Sequence, residues 1–136
     1  MTFGKIGDKI LDKPFSEFVR KRAILRAGGC ERCGHQKHDI QKDNGDTLPA
    51  WKQLDCCHFI PRGTYSVRWD PDNAVGLCSG CHLHIDNDSK AKEAFKLQIL
   101  GERGVELLEA RRRNKGKVDR AAIKLWLKSE IGKFSK

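Results

Sequence analysis

A helical spacing of apolar and polar positions appears first near the start of the chain. Phe15, Phe18, Val19, Arg22, Ala23 and Arg26 share one helical face, apolar in its first half and mixed beyond it. Asp12 is the expected cap, with Pro14 in the first turn. Gly28 and Gly29 are the expected stop, because glycine takes backbone conformations that other residues resist. The polar, turn-rich stretch "KHDIQKDNGDTLPAW" predicts a loop or short hairpin with its turn at Asn44-Gly45. "WKQLDCCHFIP" is short, apolar and aromatic enough for a strand. "TYSVRWD", after the Arg62-Gly63 turn, is its expected hairpin partner. A helix is predicted to open near Cys78 to Cys81 and to carry His82. "KAKEAFKLQIL" and "VELLEARRRN" follow as helical segments interrupted by Gly101 and Gly104. A last helix is capped by Asp119, with Ile123, Trp126, Leu127, Ile131 and Phe134 at a 3/4 spacing and Trp126 in the core. There is no internal repeat and no low-complexity segment.

This pattern predicts an α+β fold in one compact domain: residues 1–29 an N-terminal helix, 30–90 a cysteine-rich core, 91–136 a C-terminal helical extension. Composition makes that core modest. Only 38% of the 136 residues are hydrophobic, and mean hydropathy is -0.62, so an additional staple is expected. No apolar run reaches the roughly 18–20 residues of a membrane span, and the N-terminal stretch has no apolar signal core. A reducing, cytoplasmic location is the expectation, which favours metal ligation over disulfides for the six cysteines. A net charge of +9 points to a polyanionic partner, although charge alone also fits any very soluble protein.

Cys30 and Cys33 form one C-x-x-C knuckle, Cys78 and Cys81 another. Four thiolates suit tetrahedral Zn²⁺, and a site closed in this way is structural, with no open position for chemistry. It would tie the end of the first helix to the helix that carries His82. The alternatives are free cysteines, or His82 replacing one of them as a ligand.

A second constellation lies beside these knuckles. His58 is followed by Pro61, by Asn73 fifteen positions after His58, and by His82 nine positions after Asn73. "CCHFIP", "DPDNAVGLC" and "CSGCH" together resemble the HNH nucleases, a branch of the ββα-metal (His-Me finger) superfamily. The resemblance covers about residues 30 to 84. "CHFIPRGTYSVRWDPDNAVGLCSGCH" followed by "ILGERGVELLEARRR" is similar, more narrowly, to the NinG/Rap recombination proteins of lambdoid phages, which are associated with processing branched DNA such as Holliday junctions.

The resemblance implies a zinc-stapled ββα-metal core with flanking helices, acting as a metal-dependent endonuclease on DNA, branched or recombination intermediates included. It implies a bacterial host cytoplasm if the chain is phage-encoded. A neutral His58 can take a proton from water. His82 would hold a second divalent metal: Mg²⁺, Mn²⁺ or Zn²⁺. Asn73, by resemblance, braces the hairpin that presents His58, and the products would be a 5′-phosphate and a 3′-hydroxyl. Junction cleavage needs two incisions, which a homodimer would supply.

One position departs from the family pattern. Many HNH proteins place Asp before the base histidine as a metal ligand; this chain has Cys57. Thiolate suits Zn²⁺ or a softer metal and not Mg²⁺, so either the catalytic metal is soft or Cys57 is not a ligand. Asp55, His84 and Asp86 are the substitute candidates, and Cys56 is expected to pack as a small apolar residue on the opposite strand face. Arg62 and Arg68 flank the site and are candidates for DNA contact, as is the run Arg111, Arg112 and Arg113, whose alternative is a solvated helix end. Trp51 and Trp69 could stack on bases or pack in the core. Two rival classes remain: a non-catalytic zinc-dependent DNA-binding protein on the same frame, and an RNA-binding zinc-ribbon protein.

Overall fold

The computed structural model describes residues 6–134. Its described residues form an α+β fold of four helices and two small two-stranded sheets. In chain order these are α1 (Asp8–Ala27), β1 (Ile40–Gln41), β2 (Thr47–Leu48), β3 (Asp55–His58), β4 (Ala74–Leu77), α2 (Ser79–Asn87), α3 (Ser89–Arg112) and α4 (Arg120–Lys133). None of the helices is long and apolar enough to cross a membrane.

The first helix starts earlier than its cap signal suggests. It begins at Asp8 and takes Pro14 into its interior. The extra turn buries Leu11 completely against Phe15 and Leu127, which offsets the backbone hydrogen bond that proline cannot make. Asp12 therefore caps nothing. Its carboxylate accepts from Arg68 and from the Trp69 indole. The stop falls as expected: Gly28 is left-handed at φ 71, and its N–H reaches the Ile24 carbonyl.

The Asn44-Gly45 signal marks a turn between β1 and β2, with Gly45 at φ 90. The second hairpin pairs differently from the sequence expectation. β3 pairs antiparallel with β4, in register Asp55 to Leu77 and His58 to Ala74. "TYSVRWD" instead curls into a 3-10 turn at Tyr65–Val67. Curling lets Val67 and Trp69 enter two different apolar clusters, where a strand would put both on one face. All four residues of β4 are buried, so its apolar run shows no alternation. Gly76 is required there: a Cβ would lie 2.5 Å from the Ala23 Cβ of α1. Arg22 of α1 clamps the strand entrance by donating to the Pro71 and Ala74 carbonyls.

One cluster, including Cys57, Phe59, Val75, Leu77, Ile85 and Phe95, lies between α1, the β3–β4 hairpin, α2 and α3. A second joins α1 to α4 through Leu11, Phe18, Val19 and Leu127. α3 bends at Gly101, which sits at φ 72, ψ 169; Gly104 stays helical. Asp119 caps α4 through the Ala122 amide. Trp126 is not a core residue: it is 39% exposed and meets the Phe18 ring edge-on at 5.1 Å, while Leu127 takes the buried position.

Candidate metal centre and cleft

The two knuckles converge. Cys30 follows the stop of α1, and its N–H is held by the His35 carbonyl at 3.1 Å. Gly34 turns the knuckle at φ 76 and donates to the Cys30 carbonyl. Cys78 is the N-cap residue of α2, which puts Cys78 and Cys81 at the start of that helix; burial, with the neighbouring cysteines, pushes the Cys81 thiol up to about 12. The sulfurs of Cys30, Cys33, Cys78 and Cys81 lie within 4.8 Å of one another. Cys33 and Cys78 are 3.9 Å apart. Tetrahedral zinc with bonds of about 2.3 Å puts sulfurs about 3.8 Å apart, so the set is compatible with a structural zinc site. Burial opposes ionisation of Cys30, but the amides of Cys33, Cys78 and Arg32 outweigh it and bring the thiol down to about 7. His82 is not in this group; its ring belongs to the neighbouring cleft.

That cleft, of about 730 Å³, opens between α1, β3, α2 and α3. His58 lines it from the end of β3, resting on Phe15 with ring centroids 5.6 Å apart. Its Nε2 lies 2.9 Å from the Arg68 carbonyl oxygen. A carbonyl only accepts, so Nε2 carries the proton and Nδ1 keeps a free lone pair. Burial lowers the His58 pKa below 6.5, partly opposed by the bond to the Arg68 carbonyl. The ring is therefore neutral at pH 7 and able to accept a proton.

Asn73 is fully buried and does not reach the cleft. Its Nδ2 donates to the Ile60 and Val67 carbonyls, each at 3.0 Å, and its Oδ1 accepts from the Ile60 N–H at 2.8 Å. These bonds span the loop between β3 and β4. They fix Val67, next to the carbonyl that orients His58.

His82 enters the same cleft from α2. Its Nδ1 lies 3.0 Å from Asp55 Oδ2 and its Nε2 3.1 Å from Asp86 Oδ2. The ring thus stands between two carboxylates, within hydrogen-bond distance of Asp55 on one side and ion-pair distance of Asp86 on the other. Cys57 Sγ, His82 and Asp86 bring ligand atoms within 4.8 Å of one another. Cys57 is fully buried, and burial followed by the Asp86 charge pushes its thiol up to about 12. Of the substitute candidates, Asp86 joins this group and Asp55 holds the other side of the ring. His84 is exposed on α2 and outside the group. Cys56 packs against the α1–α4 cluster, partly buried as expected.

The candidate arginines divide. Arg62 is exposed on the cleft rim, with Asp12 3.8 Å away. Arg68 is buried and held by both Asp12 oxygens, so it is a structural residue and not a surface cation for DNA. Arg111 is likewise tied to Asp70 and Asp72 from α3, which removes it from the free basic run. Arg112 and Arg113 are exposed, with Glu109 beside Arg112. Trp69 is core; Trp51 is partly buried, with the Arg20 guanidinium 4.8 Å from its ring centre. Arg20 and Lys92 also line the cleft and were not foreseen. Arg20 lies one helical turn after Ser16 on the same wall, but Lys92 has no sequence signal.

No protein-family model, curated protein or solved structure matches this chain.

Proposed function

We propose that the chain is a metal-dependent endonuclease of HNH type acting on DNA, with branched or recombination intermediates as its substrates. One observation carries this reading: a neutral His58 with a free Nδ1 shares a cleft with the His82 cluster. His58 Nδ1 takes a proton from the water that attacks phosphorus, a role general bases fill with about 10²–10⁴-fold effect. The bond to the leaving 3′-oxygen breaks and that oxygen takes a proton from solvent, giving a 5′-phosphate and a 3′-hydroxyl. Asn73 positions the loop that orients His58. Arg62, Arg20 and Lys92 supply cations around the phosphodiester.

Cys57, His82 and Asp86 would hold the second metal, with Asp55 steadying the far ring nitrogen as outer carboxylates do. The bound ion would neutralise charge on the phosphoryl and leaving oxygens. Its sulfur–nitrogen–oxygen donor set fits Zn²⁺ or another borderline ion better than Mg²⁺. A zinc ion in the four-cysteine site is structural in this reading.

A second reading, a non-catalytic DNA-binding protein, is favoured by one feature: the buried Cys57 thiol, pushed up to about 12, where many HNH proteins place a carboxylate. Cleavage of duplex and four-way-junction DNA in Mg²⁺, Mn²⁺ and Zn²⁺ separates the two. The nuclease cuts in at least one metal, and Cys57→Asp shifts its preference toward Mg²⁺ or Mn²⁺. Tight binding with no cutting in any metal supports the binder.

A further inference from the structure

A larger cleft, of about 900 Å³, lies on the other side of the turn that carries Arg62. Pro61 and Arg62 line the first cleft, Gly63 and Thr64 the second. The Thr64 N–H closes this turn on the Pro61 carbonyl at 3.0 Å, so its ends lie within about 7 Å. The second cleft is lined by Arg112, Lys115, Lys117 and Arg120, and by no Asp or Glu. Arg120 is neutralised by Asp8 at 2.8 Å, and Arg112 has Glu109 at 3.3 Å. Lys115 and Lys117 are exposed and have no ion pair among the described residues.

The segment bearing these lysines is anchored at both ends. Ser66 Oγ donates to the Arg112 carbonyl at 2.8 Å, and Asp119 caps α4 just beyond Val118. Tyr65 donates its hydroxyl to Asp8, which fixes the wall facing them. Cations held on a concave surface without carboxylates attract a polyanion more strongly than the same charges dispersed.

We propose that this second cleft binds the phosphodiester backbone of the same DNA, carrying the strand onward from the first cleft across the Pro61–Thr64 turn. The inference rests on the reading of the first cleft as a phosphodiester site. Lys115 and Lys117 are its principal contacts, with Arg112 beside them. Contacts of this kind recognise backbone and not base, so their loss weakens all sequences alike.

The test is the salt dependence of binding to a fluorescent duplex and a four-way junction, in the His58→Ala protein to prevent cutting. K115A/K117A should weaken binding at least tenfold and make the log–log salt slope shallower by up to about 1.8, at about 0.9 per phosphate. K115R/K117R should restore both. K124A/K128A, on exposed positions of α4 outside both clefts, should leave both unchanged. An unchanged slope in K115A/K117A, an equal loss in K124A/K128A, or no DNA binding by the parent overturns the inference. A parent that never cleaves, but whose binding drops with K115A/K117A, sinks the nuclease reading and supports the second cleft.

Discussion

Replacing Asn73 by leucine tests the brace beneath His58. Leucine is close to asparagine in size, so the change mainly removes hydrogen bonds. It leaves two backbone groups without partners, the Ile60 N–H and the Ile60 carbonyl, while the Val67 carbonyl keeps the Asp70 N–H at 3.2 Å. Each buried group left unsatisfied costs about 1–3 kcal/mol. Loop relaxation favours the low end, so the expected loss is about 2–3 kcal/mol, a substantial part of a stability of about 5–15 kcal/mol. Urea unfolding at fixed zinc measures it, with an unchanged m-value showing that the unfolded state is the same. Asn73→Asp should be no better: its carboxylate can still accept from Ile60 but faces two carbonyls with no donor. If Asn73 were an ordinary turn residue, both variants would fall within about 1 kcal/mol of the parent. That result refutes the brace.

Other consequences follow from the same contacts. Cys30→Ser or Cys81→Ser should release about one zinc per chain and lower the melting temperature sharply, because metal binding is folding energy here; fully reduced protein that holds no metal and melts unchanged in a strong chelator contradicts the staple. Asp12 resists burial and is held below its ordinary 3.8 by hydrogen bonds from Arg68 and Trp69. Its folded pKa is thus the lower one, and its stabilisation is full above pH 3.8 and lost as pH falls through the folded value. Asp12→Asn should flatten the acid limb of stability in that window and, by loosening Arg68, reduce the cleavage rate more than KM; an acid limb identical to the parent's rules it out.

Elements with strong local signals were legible in the chain. The α1 stop, the Asn44-Gly45 turn, the opening of α2 at the second knuckle and the Asp119 cap are each written in one or two residues. β4 was hidden because both its faces are buried, and a four-residue apolar run carries no period. The start of α1 was misplaced because Leu11 burial outweighs the signals of Asp12 and Pro14. The four cysteines were readable because ligand spacing is local. Arg68 and Arg111 were not, since their carboxylate partners lie 56 and 41 positions away. Trp126 followed the helical spacing, but the α1–α4 contact is narrow enough that Leu127 alone is fully buried.

We propose that His58 moves a proton during DNA cleavage. Single-turnover cutting of duplex and junction DNA by the parent and His58→Ala, in Mg²⁺, Mn²⁺ and Zn²⁺, tests it most directly. The rate should fall about 10²–10⁴-fold in His58→Ala, with DNA affinity and bound metal unchanged. A His58→Ala protein that cuts at the parent rate in every metal, or a parent that binds junctions tightly and never cuts, contradicts it.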